Sequence, residues 1–204
     1  MNRKSKRIMR FRIALRHIDP VIWRLIEVPD TYSFWDLHVA IQDSMGWLDY
    51  HLHQFNMRQG RSRATITIGI PDEFRDDTIP GWEARLSDRF RAVGDTAVYE
   101  YDFGDGWEHE VQLTGIALPE PGQKYPRCID GGRACPPEDC GGPPGYADLL
   151  ETLSDPSSEE YSSMAGWLEY HARNYWPYDP EKFDPAGVKF DNPKTRFKRA
   201  FSEP

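Results

Sequence analysis

Between Ala97 and Leu113 the chain has very few ways to bury its side chains. Ala97, Tyr99, Tyr101 and Phe103 recur at every second position, as do Trp107, His109, Val111 and Leu113. That period of two belongs to strands with one covered face. The residues between the two runs, Gly104-Asp105-Gly106, are turn formers, so the segment predicts an antiparallel hairpin. A two-residue turn at Asp105-Gly106 would set Asp102 opposite His109 and the aromatic series opposite Glu108 and Glu110, destroying the covered face. A three-residue loop over Gly104-Asp105-Gly106 instead predicts Phe103 opposite Trp107, Tyr101 opposite His109 and Tyr99 opposite Val111. Gly106 then takes the left-handed position of a type I turn with a G1 bulge. On the other face this register sets Asp102 against Glu108 and Glu100 against Glu110. Like charges facing each other across a ladder destabilise it by about a few tenths of a kcal/mol per pair, so a cation is expected over them. Three sources are open: an arginine ladder from Arg10, Arg12 and Arg16, a divalent metal held by the carboxylates, or a basic partner.

Upstream, Met9, Phe11, Ile13 and Leu15 alternate with Arg10, Arg12, Ala14 and Arg16 as a half-buried strand, and Val21 to Val28 reads as a second strand covered on both faces. Ser33 followed by Asp36 forms a capping-box pattern, and Phe34, Leu37, Ile41 and Met45 keep helical spacing until Gly46. Short strands are predicted over His51 to Met57 and Ala64 to Ile70, and at most a short helix over Arg85 to Arg91. Further on, Tyr146 to Leu153 and Ser158 to His171 read as helices, followed by an irregular tail with Asp179-Pro180 and Asp184-Pro185 as turn or helix starts. The fold class this predicts is α+β: a mixed or mainly antiparallel sheet with an N-terminal hairpin, one packed helix, a central hairpin and C-terminal helices. It reads as a single domain over 1–204, with a sheet-and-helix core (1–118), a Gly/Pro/Cys loop (119–145) and a helical C-terminal part (146–204).

The 27 residues from Pro119 to Gly145 hold seven prolines, six glycines and Cys128, Cys135 and Cys140. Such a segment reads as neither helix nor ladder, and is uncommon unless functional or stapled. Three thiols at C-x6-C-x4-C with His109 would complete a tetrahedral zinc site, although no Cys-x2-Cys is present. Buried free thiols and a labile disulfide are the other readings, so zinc is the one candidate cofactor. His38, His51 and His53 form a second candidate cluster, either of ligands or catalytic groups or of structural histidines.

Charge is unevenly distributed. The chain is net −8, yet residues 1–16 carry seven Lys/Arg and no acid, and residues 189–204 carry five Lys/Arg against two acids. The body between them is therefore strongly acidic and repels phosphate backbones, which confines non-specific nucleic-acid binding to the ends. With 39% apolar residues there is enough material for a core. No run of about 18 apolar residues occurs, and no apolar stretch follows the basic start Met1-Asn-Arg-Lys-Ser-Lys-Arg7, which predicts a cytoplasmic location and no membrane contact.

Several strings taken together resemble a known family: Leu37-His38, Met45-Gly46-Trp47, His51-Leu-His-Gln-Phe55, Tyr99-Glu-Tyr-Asp-Phe-Gly-Asp-Gly-Trp-Glu-His-Glu-Val111, and Cys128 through Gly142 with its Cys-Pro-Pro-Glu-Asp-Cys-Gly-Gly core. They are similar to the plasmid pRiA4b ORF-3-like family, and the likeness extends from the first hairpin to Asp184. The resemblance implies an α+β fold and occurrence on plasmids and insertion elements, with no established activity and no catalytic residues. Some relatives are labelled transposon resolvases. Here none of the six histidines has an arginine three residues later, as tyrosine recombinases require, and Ser5 is followed by a hairpin with no recognition helix at the C-terminus.

The expected function is a non-catalytic binding or accessory module for a protein or nucleic-acid partner of a mobile element. Its contact surface would be Glu100, Asp102, Asp105, Glu108, Glu110, Glu138 and Asp139. The alternative is a metal-dependent hydrolase of phosphate esters using Asp102, Glu108, His109 and Glu110.

Overall fold

The computed structural model describes residues 7–58, 64–71 and 77–201; the basic residues 1–6 lie outside the described residues. Strands β1 (Ile8–Leu15) and β2 (Trp23–Pro29) form the first hairpin, followed by helix α1 (Phe34–Met45) and strands β3 (His53–Arg58), β4 (Thr65–Gly69) and β5 (Ile79–Pro80). After the single turn α2 (Leu86–Arg89) come β6 (Thr96–Tyr101), β7 (Trp107–Ala117) and β8 (Arg127–Gly132). Helices α3 (Gly142–Ser154) and α4 (Tyr161–Tyr170), a 3₁₀ turn at Pro185–Gly187 and α5 (Pro193–Phe201) complete the chain. Among the described residues the strands form one eight-stranded sheet, ordered β5-β4-β3-β6-β7-β1-β2-β8. Every neighbouring pair is antiparallel except β4 with β5. The fold is α+β.

α1 forms where the capping box predicts it. Ser33 Oγ accepts from Asp36 N–H, the Asp36 carboxylate accepts from Ser33 N–H, and Gly46 ends the helix in the left-handed conformation with its N–H on Gln42 O. Ten of the twelve α1 residues are buried. A helix packed on a sheet by one stripe alone would not be so covered, and the second cover is α5. Phe197 and Phe201 meet the Trp35 ring at centroid distances of 5.5 and 5.4 Å, and Arg196 pairs with Asp43 at 2.6 Å and Asp49 at 3.3 Å. The other side of α1 rests on the sheet's apolar face, where Phe34 meets Phe55 edge to face and Phe11, Ile13, Tyr99 and Leu113 are fully enclosed.

The structure corrects three sequence expectations. First, the central hairpin keeps its predicted faces but not its pairs: Tyr99 faces His109, Tyr101 faces Trp107 and Glu100 faces Glu108. Asp102 adopts φ 55°, its carboxylate accepts from the N–H groups of Gly104 and Asp105, and its carbonyl accepts from Gly106 N–H at 2.6 Å. This side-chain turn withdraws Asp102 and Phe103 from the ladder and makes a five-residue loop. The register moves by a whole pair, so no side chain changes face. Second, the 119–145 segment contributes a strand: β8 adds to β2 at the sheet edge, where only one side needs pairing and glycine is tolerated. Third, the tail holds α5 rather than remaining irregular. Its signal was Pro193 at the helix start with Phe197 and Phe201 four residues apart.

A tight constraint lies where the hairpin meets α3. Gly142 has φ +68°, and a Cβ there would stand 2.3 Å from the Asp105 carbonyl oxygen, a backbone atom that cannot move aside. Gly166 in α4, by contrast, has nothing within 4 Å of its Cβ position. Gly142→Ala is therefore expected to destabilise the protein by about 2–4 kcal/mol, from left-handed strain plus overlap. Gly166→Ala should stabilise it by about 0.5–1 kcal/mol. Chemical denaturation of both variants checks the pair.

Candidate functional site

Three segments converge at the tip of the central hairpin: the turn 102–106, the α1–β3 connection 47–52 and the loop 136–141. Trp47 stacks on Tyr101 at 5.0 Å and its indole N–H donates to Pro136 O. The Tyr101 hydroxyl donates to Glu138 Oε1 in a short hydrogen bond, and Glu138 Oε2 accepts from Leu48 N–H at 2.6 Å. Asp105 Oδ2 accepts from Gly141 N–H at 3.1 Å, just before α3. Within this frame His51 Nε2 lies 2.8 Å from Asp139 Oδ1 and 3.5 Å from Asp102 Oδ2. Asp102 and Asp139 both sit at positive φ, which aspartate tolerates. Among the described residues, these three make the one group of His, Cys, Asp or Glu donors close enough to share a metal ion. A cleft of about 490 Å³ opens beside Asp139, lined by Cys140, Leu149, Met164 and Trp167. Around the cluster the surface is apolar: Tyr50 is 66% exposed, Leu52 51% and Phe103 41%.

The structure thus divides the predicted binding surface. Asp102, Asp105, Glu138 and Asp139 gather at the tip, with Glu138 buried, whereas Glu100, Glu108 and Glu110 stay on the outer sheet face. Glu100 accepts from Gln54 at 2.6 Å, and Glu108 pairs with Arg16 at 2.7 Å. The three-arginine ladder does not form. β1 lies beside β7 with Arg12 opposite Gln112 and Arg10 opposite Gly115, so Arg10 turns to Glu27 and Arg12 covers Trp23. Asp102, Glu108, His109 and Glu110 accordingly do not converge as a hydrolytic set. His109 is fully buried in the core, with Nδ1 3.2 Å from Tyr99 O.

The zinc quartet is not brought together either. Cys128 lies on the edge strand β8, Cys135 is buried and Cys140 precedes α3, and the three with His109 form no metal-sized group among the described residues. Burial raises all three thiol pKa values, that of Cys140 to about 12. The histidine cluster is also redistributed, because β3 begins at His53 and the alternation does not reach back to His51. His38 and His53 stack at 3.4 Å in the core. There Tyr99 Oη is 2.8 Å from His38 Nδ1 and accepts from Gln42 Nε2, and Asp49 Oδ1 stands 3.0 Å from His38 Nε2 without alignment on the ring N–H. His38, Gln42, His53 and Tyr99 are all buried, so this network serves the core.

Burial pushes His109 down to about 3, and burial, then the adjacent His38, pushes His53 well below the ordinary histidine range. Both stay neutral when folded but take up a proton near pH 6.5 when unfolded, so the unfolded state binds more protons and stability falls as pH falls below 6.5. Each contributes a slope of about 1.4 kcal/mol per pH unit through that window, about 2.7 together. Denaturant unfolding at pH 7 to 4.5 should show this loss, and His109→Phe should remove about half of that slope.

The chain matches the family described as "Plasmid pRiA4b ORF-3-like protein" over residues 7–187. It is 36% identical over 165 residues to the uncharacterized protein y4hQ of Sinorhizobium fredii (strain NBRC 101917 / NGR234), covering 78% of this chain and 80% of that protein. The crystal structure of the protein of unknown function MM3350 from Methanosarcina mazei Go1 superposes with a TM-score of 0.82 at 39% identity, covering 92% of this chain and all of that one. Among the described residues, no helix is long and apolar enough to cross a membrane. The chain belongs to the plasmid pRiA4b ORF-3-like protein family.

Proposed function

We propose that the chain is a non-catalytic binding module of a mobile element, and that it recruits a basic segment of a protein partner at the hairpin tip. The observation that carries this reading is the composition of the tip: exposed Tyr50, Leu52 and Phe103 surround Asp102, Asp105 and Asp139, and among the described residues His51 is the one basic side chain within ion-pair distance of these carboxylates. Apolar anchors ringed by one sign of charge suit a partner that offers lysine or arginine beside an apolar side chain. The same carboxylates repel nucleic acid from this surface. The family's name, taken from a plasmid reading frame, supports the mobile-element setting.

Crosslinking in a host that carries the element should yield a partner with the wild-type chain and lose it with the double variant Tyr50→Asp/Leu52→Asp, whose unfolding midpoint should be unchanged. Binding of that partner should weaken about tenfold or more between 50 and 300 mM salt. Salt-independent binding, or binding that survives the double variant, sinks the proposal.

The His51, Asp102 and Asp139 donors favour a second reading: a divalent-metal site with one face open to the neighbouring cleft, acting on a phosphate ester. Here Asp102 keeps the role assigned from the sequence, while His51 and Asp139 replace Glu108, His109 and Glu110. Titration calorimetry with Mn²⁺ and Zn²⁺ should then give one site per chain that is lost in His51→Ala, and metal-dependent cleavage of p-nitrophenyl phosphate that disappears with it. Retained metal binding in His51→Ala removes this reading.

A further inference from the structure

On the far side of the 47–50 segment lies a larger cleft of about 1160 Å³, between the end of α1, the turn at Ala134-Cys135 and residues 173–200. It is slightly larger than the roughly 300–1,000 Å³ of small-molecule sites, room enough for one. One wall is Arg24 of β2, whose residue exposure is 1%. Its Nε donates to Ser44 O at 2.8 Å, at the C-terminal end of α1. Nη1 donates to Trp23 O at 2.8 Å and Gly132 O at 3.1 Å, and Phe183 stacks beneath the guanidinium at 3.7 Å. These contacts fix the guanidinium plane and leave Nη2 without an acceptor among the described residues. Carbonyl oxygens orient the group but carry no net charge, and among the described residues no carboxylate pairs with it. Its ionisable neighbours are Cys135, Cys128 and Tyr178, all held protonated by burial. A buried cation without a counter-ion is costly, and protein interiors otherwise pair such charges.

A second arginine lines the same cleft. Arg173 lies so close to Gly46 that a Cβ at that position would stand 3.1 Å from its Nη2, and Gly46 is two residues beyond the Ser44 carbonyl that holds Arg24. Lys182, Lys189 and Arg199 line the same cleft, and none of them, nor Arg173, has an ion pair among the described residues. The carboxylates present are already engaged: Asp43 and Asp49 with Arg196, Asp179 with Glu181 N–H and Asp184 with Ala186 N–H. A chain of net charge −8 thus turns cationic in this cleft.

We propose that this cleft binds a small molecule bearing an oxyanion, with the anionic group between Arg24 and Arg173 and the remainder against Phe183 and Tyr175. The site is independent of the hairpin-tip reading and goes beyond it. Guanidinium groups recognise phosphate and carboxylate alike, so the shared chemistry is the oxyanion.

The test titrates the full chain with inorganic phosphate and, separately, with citrate, each against sodium chloride at matched ionic strength, followed by ¹H–¹⁵N spectra. Saturable shifts are expected at the amides of Gly46, Arg173 and Phe183. Arg173→Gln should weaken binding by about tenfold or more with the spectrum otherwise intact, and Arg24→Met should abolish it. If Arg24→Met does not fold, Arg173→Gln/Lys182→Gln carries the test, because both side chains are exposed. Tighter binding of phosphate assigns a phosphorylated ligand, and tighter binding of citrate a polycarboxylate. The proposal is overturned if neither probe shifts these amides beyond the chloride control, or if binding is unchanged in both the Arg173 variants.

Discussion

The Tyr101 hydroxyl and the Glu138 carboxylate hold three otherwise separate segments in one place. Tyr101 ends β6, Glu138 belongs to the Gly/Pro/Cys loop, and their shared hydrogen bond is buried. The remaining valences of the pair fix the α1–β3 connection: Leu48 N–H donates to Glu138, and Tyr50 N–H donates to the Tyr101 oxygen at 3.1 Å. A buried carboxylate deprived of its donors costs several times what a single exposed hydrogen bond contributes. The arrangement therefore works as a unit, and both candidate sites depend on it. His51 reaches Asp139 because Tyr50 is pinned on one side and Glu138 on the other. The large cleft is bordered by the 47–50 segment on one side and residues 173–200 on the other, with the Asp49–Arg196 pair joining the two.

Features with a local cause were legible in the sequence. The capping box of Ser33 and Asp36, the left-handed Gly46 and the two-faced alternation from Ala97 to Leu113 each arise within a few residues, and the structure holds all of them. The hairpin pairing departs from the predicted one because Asp102 satisfies its turn with its own carboxylate. Counting loop residues from glycines does not register that choice. β8 was hidden because edge strands accept the glycines that argue against interior ones, and α5 because its apolar content is limited to two phenylalanines on a basic helix.

The sites divide along the same line. Asp102 and Asp139 stood out as acids near turns, but their meeting depends on two positive-φ residues from segments 37 positions apart, which no spacing rule connects. His51 shares no strand with His53, because β3 begins two residues later than the alternation predicts. Arg24 stands inside an apolar run. A lone arginine in a strand read as covered on both faces conflicts with its surroundings, and such conflicts tend to mark function.

β2 itself offers the comparison that gives Arg24 its weight. Three residues along the same strand, Glu27 is also buried, at 3% exposure. The fold answers that charge fully: Arg10 and Arg127 reach it at 2.7 and 2.6 Å from neighbouring strands on both sides. Burial alone would raise the Glu27 pKa, but the hydrogen bonds from Arg10 and Arg127 outweigh it, and the carboxyl ends below its ordinary range. Arg24, on the opposite face of the strand, meets three carbonyls, an aromatic ring and the open end of a cleft. The same sheet, in the same few residues, neutralises one buried charge entirely from within and leaves the other to be neutralised from outside. That asymmetry makes an external anion a more economical account of Arg24 than a purely structural role at the end of α1.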